Sequence, residues 1–312
     1  MLNVAVIGCG GIGGIHLARW SNVSGARIAA VCDTDAGTAH RTAAEFAADA
    51  HTDWRALLED NRFDVVDICV PTNEHPPACL LALKNGANVL CETPLAMNPA
   101  QAQEMVDAAE SARKLLMTAF CHRFHPSVLF AKELIDNDDL GRVVMFRSRF
   151  SGWLNGVEEQ WLSDPELSGG GVLLDTGVHS VDLFRCLAGE VKSAAGRTAT
   201  VNPKLRVEDT AAIVLHAETG AIGTVECSWS TPGGSNVLEI YGTAGACVVD
   251  YDSGSVRFMT AEMSVWETRE IAGPDRFERM IGHFADAVRG IQPLEVTGRD
   301  GLRASEIVDG LS

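Results

Sequence analysis

Basic charge is what this 312-residue chain has least of. Its 25 Lys and Arg stand against 42 Asp and Glu, for a formal net charge of −17. That balance argues against binding a nucleic-acid backbone, because phosphate contacts need clusters of Lys and Arg. Cys-x-x-Cys pairs are also absent. The nine cysteines are scattered at 9, 32, 69, 79, 91, 121, 186, 227 and 247. An odd, dispersed set fits buried, reduced thiols and a cytoplasmic location. No apolar run reaches the length of a membrane helix. Strand-like residues begin at Leu2, leaving no room for a basic leader and a cleavable apolar segment. Internal repeats and low-complexity linkers are missing too, so the expected domain joint is close-packed rather than a tether. What remains, 46% hydrophobic and 21% charged residues, describes a globular chain long enough for two domains.

The first ~120 residues alternate strand and helix patterns, as parallel βαβ units do. Compact apolar strands are expected at 4–7, 27–32, 64–70, 87–90 and 115–119. Helical stretches follow the first strand through Trp20 and cover 41–48, 53–59, 76–85 and a segment opening at Pro99. After Phe120 the texture changes. Helices are expected at 127–135 and 172–187, and strands at 143–150, 194–201, 209–217, 221–230, 236–241, 246–250 and 255–259. Short strands joined by Gly, Asn and Ser suggest an antiparallel sheet. The fold class is therefore α/β. A doubly wound parallel-sheet domain, 1–120, precedes a domain of helices and a mainly antiparallel sheet, 121–312.

Gly8-Cys9-Gly10-Gly11-Ile12-Gly13 matches G-x-G-x-x-G between a strand and a helix, and Asp33 ends the next strand. Such glycines permit a tight turn and close approach of backbone to a pyrophosphate. A carboxylate at Asp33 binds the adenosine ribose and repels a 2′-phosphate, favouring NAD over NADP. Pro71, Thr72, Asn73 and His75 follow the third clear strand at the same sheet edge. Their polar atoms suit the nicotinamide ribose, and equally suit an ordinary strand–helix loop. Asp175 and His179 are four apart on an expected helix, so they share one face. A carboxylate one turn from an imidazole can orient it and keep it basic, as general-base work requires; a satisfied surface pair has the same spacing. Cys121-His122-Arg123-Phe124-His125 gathers metal-ligand types, but no second ligand cluster lies at suitable spacing, so no metal is expected. Arg123 is better read as a contact to cofactor or substrate. The other histidines, His16 among them, carry no functional reading. Trp153 and Trp161 lie just before the Asp–His helix, though core or interface roles suit tryptophan as well.

AVIGCGGIGGIH, VCDTD, VPTNEHPPACLLALKNGANVLCETPLA, WLSDPELSGGG, GGGVLLDTGVHSVDL and LEIYGTAG, taken in order, resemble the Gfo/Idh/MocA oxidoreductases across almost the whole chain. The resemblance implies a nicotinamide lying between a Rossmann domain and an α+β domain whose open sheet forms oligomer contacts. A homodimer or homotetramer follows from it. By the same resemblance, Gly8, Gly10 and Gly13 take the phosphates and Asp33 the ribose. His179 takes the hydroxyl proton, and Asp175 helps position it. The family's usual Glu-Lys-Pro, whose lysine assists proton transfer, here reads Glu92-Thr93-Pro94. Glu92 stays a cofactor-contact candidate, and Thr93 offers only a neutral hydroxyl. The expected activity is NAD-dependent oxidation or reduction at a secondary alcohol or ketone of a sugar, cyclitol or related polyol. Two alternatives remain: an NAD-assisted elimination, hydrolysis or epimerisation, and a non-catalytic NAD-binding sensor or regulatory subunit.

Overall fold

The computed structural model describes residues 1–59 and 63–311. They divide into two compact units: Met1–Cys121 with Phe277–Arg303, and His122–Arg276 with the residues from Ala304 on.

In the first unit, strands β1 (Leu2–Ile7), β2 (Ala26–Cys32), β3 (Asp49–His51), β4 (Val65–Ile68), β5 (Asn88–Cys91) and β6 (Leu116–Thr118) form a parallel sheet. Their order is β3-β2-β1-β4-β5-β6. Helices α1 (Gly11–Trp20), α2 (Ala36–Phe46), α3 (Trp54–Glu59), α4 (His75–Lys84) and α5 (Pro99–Ala112) make the crossovers. Central strands are buried on both faces, which is why Val4, Ala5, Val6, Val65, Val66, Val89 and Leu90 are continuous apolar runs without alternation. The chain order reverses at β1, and ligands bind beyond the carboxyl ends of strands at such a point. Ile7 is level with Ile68, and Ile68 with Cys91, so the turns carrying Gly8, Cys69 and Glu92 leave the sheet at one edge.

Residues 277–303 correct the expectation that everything after 120 belongs to the second domain. Helix α9 (Arg276–Val288) buries Met280, Ile281 and Phe284 completely. Thr297 O accepts from Thr118 Oγ1 at 3.3 Å. Gly298 and Gly301 permit the approach, since a Cβ on them would meet Leu116 at 2.7 Å and Thr118 Oγ1 at 2.3 Å. Leu302 joins the core formed by Ile7, Val66, Ile68 and Val89. Burying such a side chain is worth roughly 1.5–3 kcal/mol, enough to bind the returning chain to this sheet. It lies on α10 (Gly298–Asp309).

The second unit is built on an eight-stranded sheet, ordered β14-β13-β12-β11-β7-β10-β9-β8. Its strands are β7 (Val143–Ser151), β8 (Val191–Ala199), β9 (Thr210–Ala217), β10 (Ile222–Ser228), β11 (Asn236–Gly242), β12 (Ala246–Asp250), β13 (Ser255–Met259) and β14 (Glu267–Glu270). All pairings are antiparallel except β7 with β10. β9 alternates buried and outward residues along its length, so the sheet has a packed face and an outward one. Helices α6 (Pro126–Asp136), α7 (Pro165–Ser168) and α8 (Val178–Ala188) complete the unit. The expected helix 172–187 is two pieces, a π-helical turn at Leu173–Gly177 and then α8. Beyond 259 the sequence reading placed no element, whereas the chain forms β14, α9 and α10 there.

Candidate active site

The glycine turn has the shape its spacing implies. Gly8 sits at φ +94°, and a Cβ there would lie 2.2 Å from Cys69 O; one on Gly13 would lie 2.0 Å from Gly8 O. Only glycine fits either place. A Cβ on Gly10 would meet nothing within 4 Å, so that backbone faces open space. Gly10 caps α1 without a side-chain bond, and Gly11 and Ile12 open the helix. Their N–H groups have no carbonyl within the helix to bond, which suits a phosphate. Asp33 closes the turn: Oδ2 accepts from Cys9 N and Oδ1 from Asp35 N, each at 2.9 Å. The carboxylate is thereby held at the end of β2.

Past β4, Pro71 leads into a 3₁₀ turn, Thr72–Glu74. Thr72 Oγ1 and Asn73 Oδ1 are buried with no hydrogen-bond partner among the described residues. Orphaned buried oxygens are rare and ask for a ligand or water. His75 does different work. Its Nδ1 lies 2.9 Å from Pro94 O and its Nε2 2.8 Å from Val70 O, so the ring ties the loop after β4 to the loop after β5. Burial lowers its basicity. In the second loop Thr93 N donates to Glu92 Oε2 at 2.9 Å, and Glu92 Oε1 lies 2.9 Å from His16 Nε2. His16, which carried no reading in the sequence, is thus part of this edge.

In the second unit, Asp175 lies in the π-helical turn, with Thr176 Oγ1 donating to its Oδ2 at 2.9 Å. Trp229 Nε1 donates in turn to Thr176 Oγ1 at 3.3 Å. Glu208 holds the start of the helix: Oε2 accepts from Gly171 N at 3.0 Å, Oε1 from Leu173 N at 3.2 Å, and its carbonyl from Val172 N at 2.9 Å. These three bonds satisfy N–H groups that a helix start leaves open. Asp175 lines a cavity of about 320 Å³ together with Phe150, Trp153, Thr176, Trp229 and Asn236. An aromatic wall with a few convergent polar groups is the usual make-up of a small-molecule site.

His179 stands on the first turn of α8, its ring 4.9 Å from that of His122. His122 also packs edge-on against Phe150 at 4.9 Å. Burial, with His179 and Arg276 nearby, holds His122 well below the ordinary imidazole range, so it is neutral. Arg123 Nε and Nη2 are directed to Asp182, at 2.7 and 2.5 Å. His125 caps α6, its Nδ1 accepting from Ser127 N at 3.3 Å. The Cys121–His125 segment therefore spends Arg123 and His125 on structure. Glu208, Trp229 and the His122–His179 pairing escaped the sequence reading, since none carries a local pattern.

Comparison with known proteins identifies the family. Residues 2–120 match the family model of the oxidoreductase family with an NAD-binding Rossmann fold, and 128–248 match that of the GFO/IDH/MocA C-terminal domain. The chain belongs to the Gfo/Idh/MocA oxidoreductases. NAD is the cofactor, and the open backbone at Gly10 with the braced Asp33 fits it. The chain is 34% identical to inositol 2-dehydrogenase 2 of Saccharopolyspora erythraea, over 72% of this chain and 66% of that protein. It is 30% identical to D-apiose dehydrogenase of Rhizobium rhizogenes, over 78% of this chain and 72% of that one. A levoglucosan dehydrogenase solved in complex with NADH shares the fold, with a TM-score of 0.93 at 23% identity over 99% of this chain and 95% of that one. No helix among the described residues is long and apolar enough to cross a membrane.

Proposed function

We propose that this Gfo/Idh/MocA protein is an NAD-dependent dehydrogenase acting on a secondary alcohol of a sugar, cyclitol or related polyol, with His179 as acid/base. The observation that carries the reading is the braced Asp175, a carboxylate fixed through Thr176 and Trp229 in a polyol-sized cavity, one turn before His179. The names of the relatives, dehydrogenases of inositol and apiose, support the substrate class.

Bound NAD supplies the hydride acceptor. The chain's residues do the rest. In the oxidising direction the substrate hydroxyl loses its proton to His179 as its carbon loses hydride, leaving a ketone, and the proton passes on to solvent. Neutral His122 beside it adds no positive charge to oppose that protonation. A carboxylate at Asp175 favours the imidazolium that forms. Thr93, where the family usually has lysine, contributes a neutral hydroxyl, so proton transfer rests on the histidine. The outward sheet face exposes Met145, Val214 and Ile222, Met145 lying directly opposite Ile222, and this suits assembly into a homodimer or homotetramer.

The test is NADH formation on a panel of cyclitols, aldoses and open-chain polyols. Turnover by the unmodified protein and a loss of roughly 10²–10⁴-fold in His179→Asn, with NAD affinity kept, are expected. Conversion of a substrate with no net NADH would favour an NAD-assisted elimination, hydrolysis or epimerisation, which the missing lysine keeps in view. NAD binding with no turnover of any kind would favour a sensor.

A further inference from the structure

Three glycines, Gly169, Gly170 and Gly171, lead into the helix that carries Asp175. The third makes room for a residue from elsewhere. A Cβ on Gly171 would lie 1.8 Å from Glu208 O and 2.9 Å from Glu208 Cδ, so only glycine lets Glu208 close on the helix start. Glu208 comes from the connection between β8 and β9. It takes three consecutive backbone N–H groups: Gly171 N on Oε2, Val172 N on its carbonyl and Leu173 N on Oε1. The two bonds to its carboxylate are charge-assisted and lie at the positive end of the helix dipole.

Both ends of the π-helical turn, Leu173–Gly177, are thereby fixed. On one side Glu208 holds 171–173, and Cys227 Sγ of β10 lies 3.8 Å from Val172 O. On the other, α8 buries Val178, Val181, Leu183 and Phe184, none more than 1% exposed. A stretch one residue too long for an α-helical turn between two fixed ends bulges into a π-helical one. Asp175 stands in that bulge. Two chains of bonds reach it from the same connection. Asp175 N donates at 3.0 Å to the carbonyl of Gly171, the residue whose N–H Glu208 holds. The carbonyl of Asp209, next in sequence, accepts from Trp229 N at 2.8 Å, and the Trp229 indole reaches the Asp175 carboxylate through Thr176. Asp209 is fully buried. Its carboxylate accepts from Val201 N, Asn202 N and Ser230 Oγ at 2.6–2.8 Å, which anchors the connection.

We propose that Glu208 is a positioning residue for the reaction: by gripping 171–173 it keeps the π-helical turn in place and so sets where Asp175 stands. The connection between β8 and β9 is then part of the active-site architecture.

The inference rests on the reading in which Asp175 serves His179, and the experiment separates the two. Steady-state rates on a substrate from the polyol panel are measured on the full chain for the unmodified protein, Glu208→Ala, Asp175→Asn and the double variant. Circular dichroism and melting check that each is folded. Glu208→Ala should lose about 10- to 100-fold in kcat/KM, since a reacting group displaced by about 1 Å costs on that order. Its NAD dissociation constant should not change. Glu208→Gln, whose amide oxygen still accepts one of the two side-chain bonds, should fall between. In the Asp175→Asn background, Glu208→Ala should cost less than about threefold, because effects that pass through one residue do not add. A loss of equal size in both backgrounds is what general destabilisation produces, and it would overturn the proposal. So would a Glu208→Ala protein of full activity. Should Glu208→Ala fail to fold, the same cycle is run with Glu208→Gln. If the unmodified protein turns nothing over, the functional reading falls, and crystal structures decide the role of Glu208. Residues 173–177 closing into an α-helical turn in the variant would support its grip; a retained π-helical turn would overturn it.

Discussion

His16 in the first unit, fully buried, and His122 in the second, slightly more exposed, are the same side chain, and the fold drives them in opposite directions. Each is penalised by loss of water. His16 has Asp67 and Glu92 against its two nitrogens and keeps its proton. His122 has His179, Arg276 and His125 as its charged or chargeable neighbours and gives its proton up. The lesson is that desolvation sets the scale of a buried charge while the neighbours set its sign. One unit thereby stores a cation beside its parallel sheet, and the other keeps a neutral imidazole beside a proposed base.

The hardest way to break this contrast is to strip a buried ion of its partner. Arg123→Met leaves Asp182, 1% exposed, without its guanidinium, and should cost about 3–5 kcal/mol in urea unfolding at pH 8. Without that guanidinium the buried carboxylate should be protonated more readily than in the unmodified protein, so the deficit should shrink at pH 5. A deficit of equal size at both values would show that lost packing, not charge, is responsible.

The contrast should also appear in stability against pH. For His122 the folded pKa lies below the unfolded one. Its contribution is therefore complete above about pH 6.5 and is lost as pH falls, by up to about 1.4 kcal/mol per pH unit. His125, depressed to about 4 mainly by burial, adds to the same acid limb. His16 has the opposite sign: its contribution is complete below the unfolded pKa and is lost only as pH rises through its raised folded value. Unfolding midpoints between pH 7 and 5 should fall less steeply in His122→Phe than in the unmodified protein. A slope that stays the same would place the acid sensitivity elsewhere.

The smallest change sharpens the comparison between two carboxylates at the strand ends of the first unit. Asp33 follows β2 and Glu92 follows β5. Asp33→Ser should narrow the gap between NAD and NADP affinity by roughly tenfold, about 1.4 kcal/mol, and leave the NAD+/NADH ratio alone. Equal NAD and NADP affinities in the unmodified protein would defeat the role given to Asp33.

Much of the first unit could be read from the chain because its signals are local. The apolar runs, the glycine turn and Asp33 each lie within a few residues of what they build. Elsewhere local signals were weak or ambiguous. The four residues of β14, Glu-Thr-Arg-Glu, are all exposed and show no alternation. Helix α9 repeats Met280, Ile281, Phe284 and Ala285 at helical spacing, a legible pattern, but nothing in it tells which unit it packs on. Asp175 and His179 were visible as a pair. The π-helical turn under Asp175 was not, because it is held by Glu208, brought in from 37 residues beyond Gly171.

By itself, then, the sequence determined the parallel sheet, the tight glycine turn after β1, a carboxylate at the end of β2 and the presence of Asp175 and His179 one helical turn apart. Each of these depends on backbone preferences and periodicity over short stretches. Only the tertiary structure decided which ionisable groups carry charge. Asp67 reaches His16 from 51 residues away, and Asp182 reaches Arg123 from 59. Charge in a folded chain follows distance in space and loss of water, and neither quantity exists until the strands have been brought together.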